Sequence, residues 1–366
     1  MKKYNIINSI PVTNAIKISL INLPTPSSIS YLWNIGFLLG MTLTLQVVTG
    51  VVLAINYVPE INLAFSSVIH IIRDVEGGWA TRYSHFNGAS LFFILLYAHI
   101  GRGIYFSSPR KIPIVWTSGV IILLVSILTA FIGYVLPWGQ ISYWGATVIT
   151  RMLSAVPYVG RRMTEWLWGN FSVRQPTLNR FFSLHFLIPI IIIAIVLAHL
   201  ILLHQSGSSN PTNTNPNLDK IRFYPNFLVK DINPLIIIIL IMIILIATNP
   251  EALGDVENLN QARITTTPPH IQPEWYFLFS YAILRSIPSK LGGVVAIALS
   301  ILVRLTLMAK SPKRGTKYRP EKKIILWSLI AVVATLTWVG ANPVEEPFSR
   351  VGVYSTILYF FTFLVA

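Results

Sequence analysis

Eight long apolar runs constrain the fold of this chain more than any other feature of its sequence. The runs are Tyr31–Asn56, His85–Phe106, Ile112–Leu136, Phe181–His204, Asn233–Ala247, Leu291–Met308, Ile324–Val339 and Val351–Ala366. About 20 such residues cross the bilayer core as a helix, and the fifth run is short if it stops at Ala247 rather than continuing through Thr248 and Asn249. Their apolar residues are continuous rather than alternating, which favours helices over the strands of a barrel. With only 11% charged residues, the chain is predicted to be an all-α, polytopic membrane protein with eight transmembrane helices.

Four of the seven histidines form two pairs with identical spacing, inside the second and fourth runs. His85 and His99 are fourteen residues apart, as are His185 and His199. Fourteen residues is close to four helical turns, so both members of a pair face the same way, about 21 Å apart along the axis. The two runs are parallel because one crossing separates them, so His85 meets His185 and His99 meets His199. This pattern predicts two stacked bis-histidine haem sites, which carry electrons because no iron position stays open.

Glycines in the first and third runs repeat the same spacing. Gly36 and Gly50 are fourteen residues apart, and so are Gly119 and Gly133. Glycine leaves room for the edge of a flat macrocycle, although ordinary close helix packing would also use it. For the histidines, the alternative is a set of buried polar groups bonded to neighbouring helices, but that alternative does not explain the repeated spacing.

Three arginines lie at or near the ends of the apolar runs, where their charges need a partner. Arg82 and Arg102 lie just beyond the histidines, at opposite ends of the second run. They are expected either to pair with haem propionates or to anchor at lipid headgroups. Arg304, near the end of the sixth run, is expected to extend its charge to the membrane surface.

The distribution of charge indicates topology rather than nucleic-acid binding. The net charge is +15, but no basic stripe interleaved with aromatics stands free of the spans, so no nucleic-acid partner is expected. Lysine and arginine concentrate in the N-terminal segment and after the second, fourth and sixth runs, including residues 310–323. This bias places the N-terminus in the negative compartment. The chain has no cysteine, which excludes iron–sulfur ligation and thioether-attached haem.

The runs and loops suggest three parts. Residues 1–30 are predicted to lie along the membrane surface, and residues 31–210 to form a four-helix di-haem bundle. Residues 211–366 hold the last four spans. Two long loops, 137–180 and 250–290, are expected to be functional because structureless loops of that length are uncommon in compact proteins. The first is expected to form short interfacial helices, and the second is too rich in proline to be one helix.

Three further motifs carry a resemblance to a known family. They are Gly-Tyr-Val-Leu-Pro-Trp-Gly-Gln at 133–140, Trp-Gly-Ala-Thr-Val-Ile-Thr at 144–150 and Pro-Glu-Trp-Tyr at 273–276. Together with the histidine and glycine pairs, they resemble the mitochondrial cytochrome b family over essentially the whole chain. This family supplies the di-haem subunit of ubiquinol–cytochrome c reductase, respiratory complex III. The resemblance implies two non-covalent haem b groups, one of low potential on His85 and His185 and one of high potential on His99 and His199.

The resemblance also implies a quinone site near each haem. A carboxylate beside a quinol can accept its proton, so Glu274 is the expected centre of the oxidation site; a surface glutamate bonded to backbone is the alternative from the residues alone. The other residues implied for this pocket, which loop 250–290 helps to form, are Tyr134, Gly145, Pro273, Tyr276, Tyr281 and Pro288. The residues implied for the second site are Asn34, His204, Lys230 and Asp231, where His204 and Asp231 would donate protons. Gln205 and Phe37 depart from the family pattern at this second site.

The implied activity is that of the catalytic subunit of quinol–cytochrome c oxidoreductase. Ubiquinol would be oxidised at the outer face, and electrons would cross the two haems to reduce quinone at the inner face, coupled to proton translocation in a Q cycle. The implied partners are the Rieske iron–sulfur protein, cytochrome c1 and other complex III subunits, in a dimeric complex surrounded by lipid. The implied location is the mitochondrial inner membrane, with the N-terminus on the matrix side.

Two other kinds of membrane protein also contain histidines within their spans. A di-haem anchor of a soluble dehydrogenase would lack the paired quinone loops and the Pro-Glu-Trp-Tyr segment. A carrier or channel that relays protons through its histidines would show no haem absorbance.

Overall fold

The computed structural model describes residues 17, 21–212, 215–309 and 320–365. Within that part, eight helices are long and apolar enough to cross a membrane, which confirms the predicted all-α, eight-span fold. In chain order these are α1 (Ile35–Asn56), α3 (Gly78–Tyr105), α5 (Pro113–Val135), α8 (Gln175–Ser206), α9 (Asn226–Thr248), α11 (Lys290–Leu302), α12 (Pro320–Gly340) and α13 (Phe348–Val365). A 3₁₀ helix, Val303–Met308, continues the span of α11.

Shorter elements connect the spans. They are β1 (Pro24–Pro26), α2 (Ala64–Arg73), α4 (Ser108–Lys111), α6 (Gln140–Arg151), α7 (Gly160–Trp168), β2 (Lys220–Arg222) and α10 (Leu278–Arg285). Helices α6 and α7 are the short helices expected in loop 137–180. Strands β1 and β2 pair antiparallel and join the N-terminal segment to the loop before α9. Most of the predicted surface segment 1–30, and most of the basic run 310–323, lie outside the described residues.

Several spans begin earlier than their apolar runs. Helix α3 starts seven residues before His85, α8 six residues before Phe181, and α9 seven residues before Asn233. The extra turns are polar, and a helix can continue past the hydrocarbon core where water or protein satisfies its side chains. Arg82 and Asp231 therefore lie on helices rather than in loops.

Seven of the eight spans form two main packing regions, and α9 packs on α1 and α3. Helix α1 packs on α3, and α5 packs on α8, to form the four-helix bundle. The second region joins α10, α11, α12 and α13, and side chains of α3 and α5, including Tyr97 and Trp116, pack against it.

The prediction that Arg304 extends its charge to the membrane surface was wrong. Its side chain is buried beneath Phe363 and donates to the carbonyl of Ser300, so the charge does not reach the membrane surface.

Candidate functional site

The four predicted histidines lie on the facing sides of α3 and α8. The ring centroids of His85 and His185 are 6.1 Å apart, and their planes are nearly perpendicular, at 86°. This separation matches one metal ion between the two rings, with metal–nitrogen bonds of about 2 Å on each side. His99 and His199 lie at the other end of the same helices, close enough for their charges to interact. The structure thus brings each predicted pair together.

Hydrogen bonds fix the tautomer of three of these histidines. The bonds join Nδ1 of His85 to Thr49 Oγ1 (2.9 Å), Nδ1 of His185 to the Thr129 carbonyl (2.9 Å) and Nδ1 of His199 to Ser118 Oγ (2.7 Å). The Thr129 carbonyl can only accept, so Nδ1 of His185 must donate. Thr49 and Ser118 donate their own protons to backbone carbonyls, so they too accept from the rings. Each Nε2 is left with its lone pair, as an iron ligand requires.

His99 has a different partner. Arg102 Nη2 lies 3.3 Å from its Nδ1 and donates to it, while Arg102 Nε is buried with no hydrogen-bond partner among the described residues. The guanidinium also lies over the ring of Trp33, 5.3 Å from its centroid. An anion beside Arg102, such as a haem propionate, would satisfy Nε and release Nδ1 of His99. The arginine therefore fits the propionate role better than a headgroup anchor.

Each predicted glycine lies against one of these imidazoles. A Cβ added to Gly36 would be 3.4 Å from His99 Cε1, one added to Gly50 would be 3.1 Å from His85 Cε1, and one added to Gly119 would be 3.5 Å from His199 Cε1. A Cβ on Gly133 would overlap the ring of His185. Glycine is thus required by close contact at Gly133 and favoured at Gly50, whereas a Cβ at Gly36 or Gly119 would make only ordinary contact with the ring.

We expect Gly133→Ala to weaken the His185 site. The added methyl overlaps the imidazole, and overpacking of this kind costs about 1–3 kcal/mol in stability. The bound haem should fall in proportion, as measured by absorbance of the purified protein. Gly40→Ala is the matched control, because a Cβ there meets nothing within 4 Å. Equal haem content in the two variants would contradict the assignment.

A cavity extends from the histidines toward loop 250–290. Its lining includes His85, His185, Arg82, Gln46 and Ser126. Gln46 Nε2 and Ser126 Oγ are buried without a hydrogen-bond partner among the described residues. Paired imidazoles, glycines beside them and unsatisfied polar atoms together fit a bound haem.

Glu274 and Tyr134 line the same cavity. Glu274 is 7% exposed, and its Oε1 has no hydrogen-bond partner among the described residues. Burial raises the pKa of Glu274 to about 7, and the charges of Asp255 and Glu251 act in the same direction. Tyr134 and the charge of Arg82 oppose this shift. A carboxyl with that pKa can exchange a proton near neutral pH.

The residues after Glu274 are held firmly against α3. The ring of Tyr276 stacks on Phe93, with centroids 4.3 Å apart and planes 3° from parallel. The hydroxyl of Tyr97 donates to the Tyr276 carbonyl at 2.6 Å. Trp275 Nε1 donates to a serine hydroxyl of α3 at 3.1 Å. These contacts fix the Pro-Glu-Trp-Tyr segment, so the position of Glu274 does not depend on loop 250–290 alone.

The other residues predicted for this pocket lie farther from its chemistry. The hydroxyl of Tyr281 donates to the Ile271 carbonyl at 3.3 Å, which closes the loop behind the motif. A Cβ on Gly145 would meet nothing within 4 Å, so no close contact requires glycine there. Pro273 is half-buried and immediately precedes Glu274.

At the opposite end of the bundle, the structure brings together most of the second predicted set. Asn34 Nδ2 donates to the Lys230 carbonyl at 2.6 Å, and Asn34 and Asp231 are both buried. Lys230 Nζ donates to the carbonyl of Ile29 at 2.7 Å. His204 is half-buried at the end of α8, and it makes no hydrogen bond to this cluster within the described residues. The sequence did not predict that the segment before α1 contributes to this site. A backbone carbonyl such as that of Ile29, which accepts from Lys230, leaves no signal in the sequence.

Known proteins share this architecture. A family model described as cytochrome b/b6/petB matches residues 20–207, and one described as cytochrome b (C-terminal)/b6/petD matches residues 261–360. The chain is also similar to a solved structure described as a hyperthermophilic respiratory Complex III, at 30% identity and a TM-score of 0.90, over 96% of this chain and 94% of that one. The matched regions contain both histidine pairs and the Pro-Glu-Trp-Tyr segment. This chain is a member of the cytochrome b/b6 family.

Proposed function

We propose that this protein is the electron-transfer subunit of a respiratory complex III and oxidises ubiquinol within that complex. The observation that carries the proposal is the single cavity that joins His85 and His185 to the buried carboxyl of Glu274. Family membership and the similarity to a respiratory Complex III support it. A proton-relaying channel would not need histidines in facing pairs, three of which have Nδ1 already committed to a hydrogen bond.

The proposed cofactors are two non-covalent haem b groups. His85 and His185 would hold one, and His99 and His199 the other, with Arg82 and Arg102 as partners of their propionates. When bound, the haems supply one-electron carriers at two depths of the membrane. The protein contributes the tautomers of its histidines, the space beside its glycines and the dry surroundings of both sites.

The site at Glu274 is proposed to accept protons from ubiquinol. Oxidation of a quinol releases two protons and two electrons, and a carboxylate within the pocket provides a place for a proton. Tyr134 lines the pocket with Glu274, and the ring of Tyr276, stacked on Phe93, forms the wall beside them. A mobile iron–sulfur partner, the Rieske protein, is proposed to take one of the two electrons, because this chain has no cysteine for such a cluster.

The site near His204 is proposed to reduce quinone and to supply its protons. Asp231 and His204 are the proposed donors, Asn34 the proposed hydrogen-bonding partner of quinone, and Lys230 a group at the protein surface that takes up protons. Protons would leave at the Glu274 end and be taken up at the His204 end, so electron transfer between the ends would build a proton gradient.

We propose that residues 31–210 form the haem-binding unit and that residues 211–366 complete the quinol pocket. Cytochrome c1, the Rieske protein and further subunits are the proposed partners in a dimeric complex. The proposed location is the mitochondrial inner membrane, with the N-terminus in the matrix.

Asp231→Asn tests the proton supply at the His204 end. We expect the reduction of quinone at that end to slow by about 10²-fold, the lower end of what general acid–base groups contribute. Oxidation of ubiquinol at the Glu274 end should keep its initial rate. Rapid mixing of the purified complex with ubiquinol, followed by absorbance, separates the two rates.

Asp74→Asn is the matched control, because Asp74 is exposed and caps the C-terminal end of α2, away from Asn34 and Lys230. Equal slowing of both rates in Asp231→Asn, or unchanged quinone reduction, would contradict the proposed second site.

A further inference from the structure

Two dipeptides in the bundle consist of a hydroxyl residue followed by glycine, and one lies at each of the two histidine levels. Thr49 precedes Gly50 on α1, and Ser118 precedes Gly119 on α5. The other two glycines of the repeated spacing each follow an isoleucine. A hydroxyl therefore occurs once at each level, on a different helix pair of the bundle.

The first of these dipeptides contacts His85. A Cβ on Gly50 would be 3.1 Å from Cε1 of the ring, and Thr49 Oγ1 lies 2.9 Å from its Nδ1. Thr49 is buried and donates its own proton to the Leu45 carbonyl at 2.6 Å, so Oγ1 accepts from Nδ1. A hydroxyl that donates one hydrogen bond is a stronger acceptor of the next, because bonds in a chain polarise one another. Thr49 therefore holds the His85 ring in one orientation and one tautomer.

The second dipeptide makes the same kind of contact with His199. Ser118 Oγ lies 2.7 Å from Nδ1 of this ring and donates its own proton to the Val115 carbonyl at 2.8 Å. A Cβ on Gly119 would be 3.5 Å from Cε1, so α5 passes the ring at contact distance. The same arrangement thus occurs at both levels, and neither copy shares a residue with the other.

These bonds to histidine are not a general property of hydroxyl residues in a helix. Serine and threonine commonly bond only to a preceding carbonyl of their own helix. Thr44 on α1, which is exposed, does this with the Gly40 carbonyl at 2.9 Å. Thr49 and Ser118 make the same bond to their own backbone and also accept from an imidazole.

An acceptor at Nδ1 changes how an imidazole binds a metal at Nε2. A hydrogen bond from Nδ1 raises the basicity of the ring, so the ring donates more electron density to the metal. Greater donation stabilises Fe³⁺, the oxidised form of a haem iron, more than Fe²⁺. The reduced form is thereby disfavoured, and the midpoint potential falls. Because Thr49 and Ser118 each contact one level, the two potentials can be adjusted separately.

We propose that Thr49 and Ser118 are positioning residues, each of which orients one haem ligand and lowers the midpoint potential of the haem at its own level. This proposal rests on the proposed function, because it requires a haem between each histidine pair. In each haem, one electron that originates from ubiquinol converts Fe³⁺ to Fe²⁺, and no proton leaves Nδ1 in that step. The levels are about 21 Å apart along the helix, so each hydroxyl acts on its own haem.

A redox titration of the purified complex, followed by absorbance, tests the two residues independently. Thr49→Val removes the hydroxyl and keeps the shape of the side chain. We expect a several-fold larger equilibrium constant for reduction of the outer component, which is the one lost in His185→Ala, and no shift of the inner component. Ser118→Ala should give the opposite pattern, with a shift of the inner component alone. Thr49→Ser keeps the hydroxyl and should titrate close to the unmodified protein.

Thr44→Val is the matched control, because it removes from the same helix an exposed hydroxyl that bonds to the Gly40 carbonyl. It should shift neither component. If Thr49→Val does not retain its haem, Ser118→Ala provides the same test at the other level. An unchanged or lower potential of the corresponding component in Thr49→Val or Ser118→Ala, or an equal shift of both components, would overturn the proposal and leave the proposed function intact. An unmodified complex without two components would instead overturn the proposed function.

Discussion

Replacement of His99 by alanine should remove one of two b-type haem components and leave the other in place. The two histidine levels are about 21 Å apart along α3, so each pair is a separate site. The retained pair, His85 and His185, keeps its hydrogen bonds to Thr49 and Thr129. Alanine at position 99 has no polar atom that would be left unsatisfied. Quinone reduction at the His204 end should fall below about 1% of the original rate, because the loss of this site breaks the path to that end.

A reduced-minus-oxidised spectrum of the purified complex measures this outcome. His70→Ala is the control, since His70 is exposed on α2 and pairs with Asp74 at 2.9 Å. It should retain both components. Loss of both components in His99→Ala, with normal levels of protein, would contradict two independent sites, and so would retention of both.

Glu274→Gln should slow ubiquinol oxidation by about 10²- to 10⁴-fold, the range expected when a general base is lost. The pKa of Glu274 is raised to about 7, chiefly by burial. Below pH 7 the carboxyl is mostly protonated and cannot accept a proton; above pH 7 it is mostly ionised and can. The rate in the unmodified protein should therefore rise about tenfold per pH unit below 7 and level off above it. Glutamine should abolish this pH-dependent rise, since it has no proton to exchange.

Steady-state kcat/KM for ubiquinol, measured from pH 5 to 9, gives the profile. Glu60→Gln removes an exposed carboxylate from the turn that follows α1 and should leave both the rate and the profile unchanged. A Glu274→Gln variant that keeps the rise near pH 7 would assign that titration to another group. An unchanged rate in Glu274→Gln would show that Glu274 does not accept a proton from ubiquinol.

The sequence predicts the spans and the histidine pairs well, for physical reasons that act within a single helix. Helical periodicity alone determines that His85 and His99 share a face. The second and fourth spans run parallel because one crossing separates them. The glycine spacing follows from the same geometry, and the structure places Gly50 and Gly133 against the rings of His85 and His185.

The contacts that connect distant segments are much harder to predict. Nothing near Ile29 indicates that its carbonyl accepts from Lys230, some 200 residues away. Arg304 appeared to be an arginine at the end of a span, but the neighbouring Phe363 buries it. The contact between Asn87 and Pro250 depends on how a proline-rich loop folds back on α3. Local spacing contains no information on such pairings.

The measurement that tests the account most directly is the haem content of the purified protein, combined with a redox titration. Two imidazole pairs, each beside two glycines, should bind two haem b groups per chain. The expected result is two haems per chain and two titrating components of distinct potential. One haem per chain, or none, would contradict it.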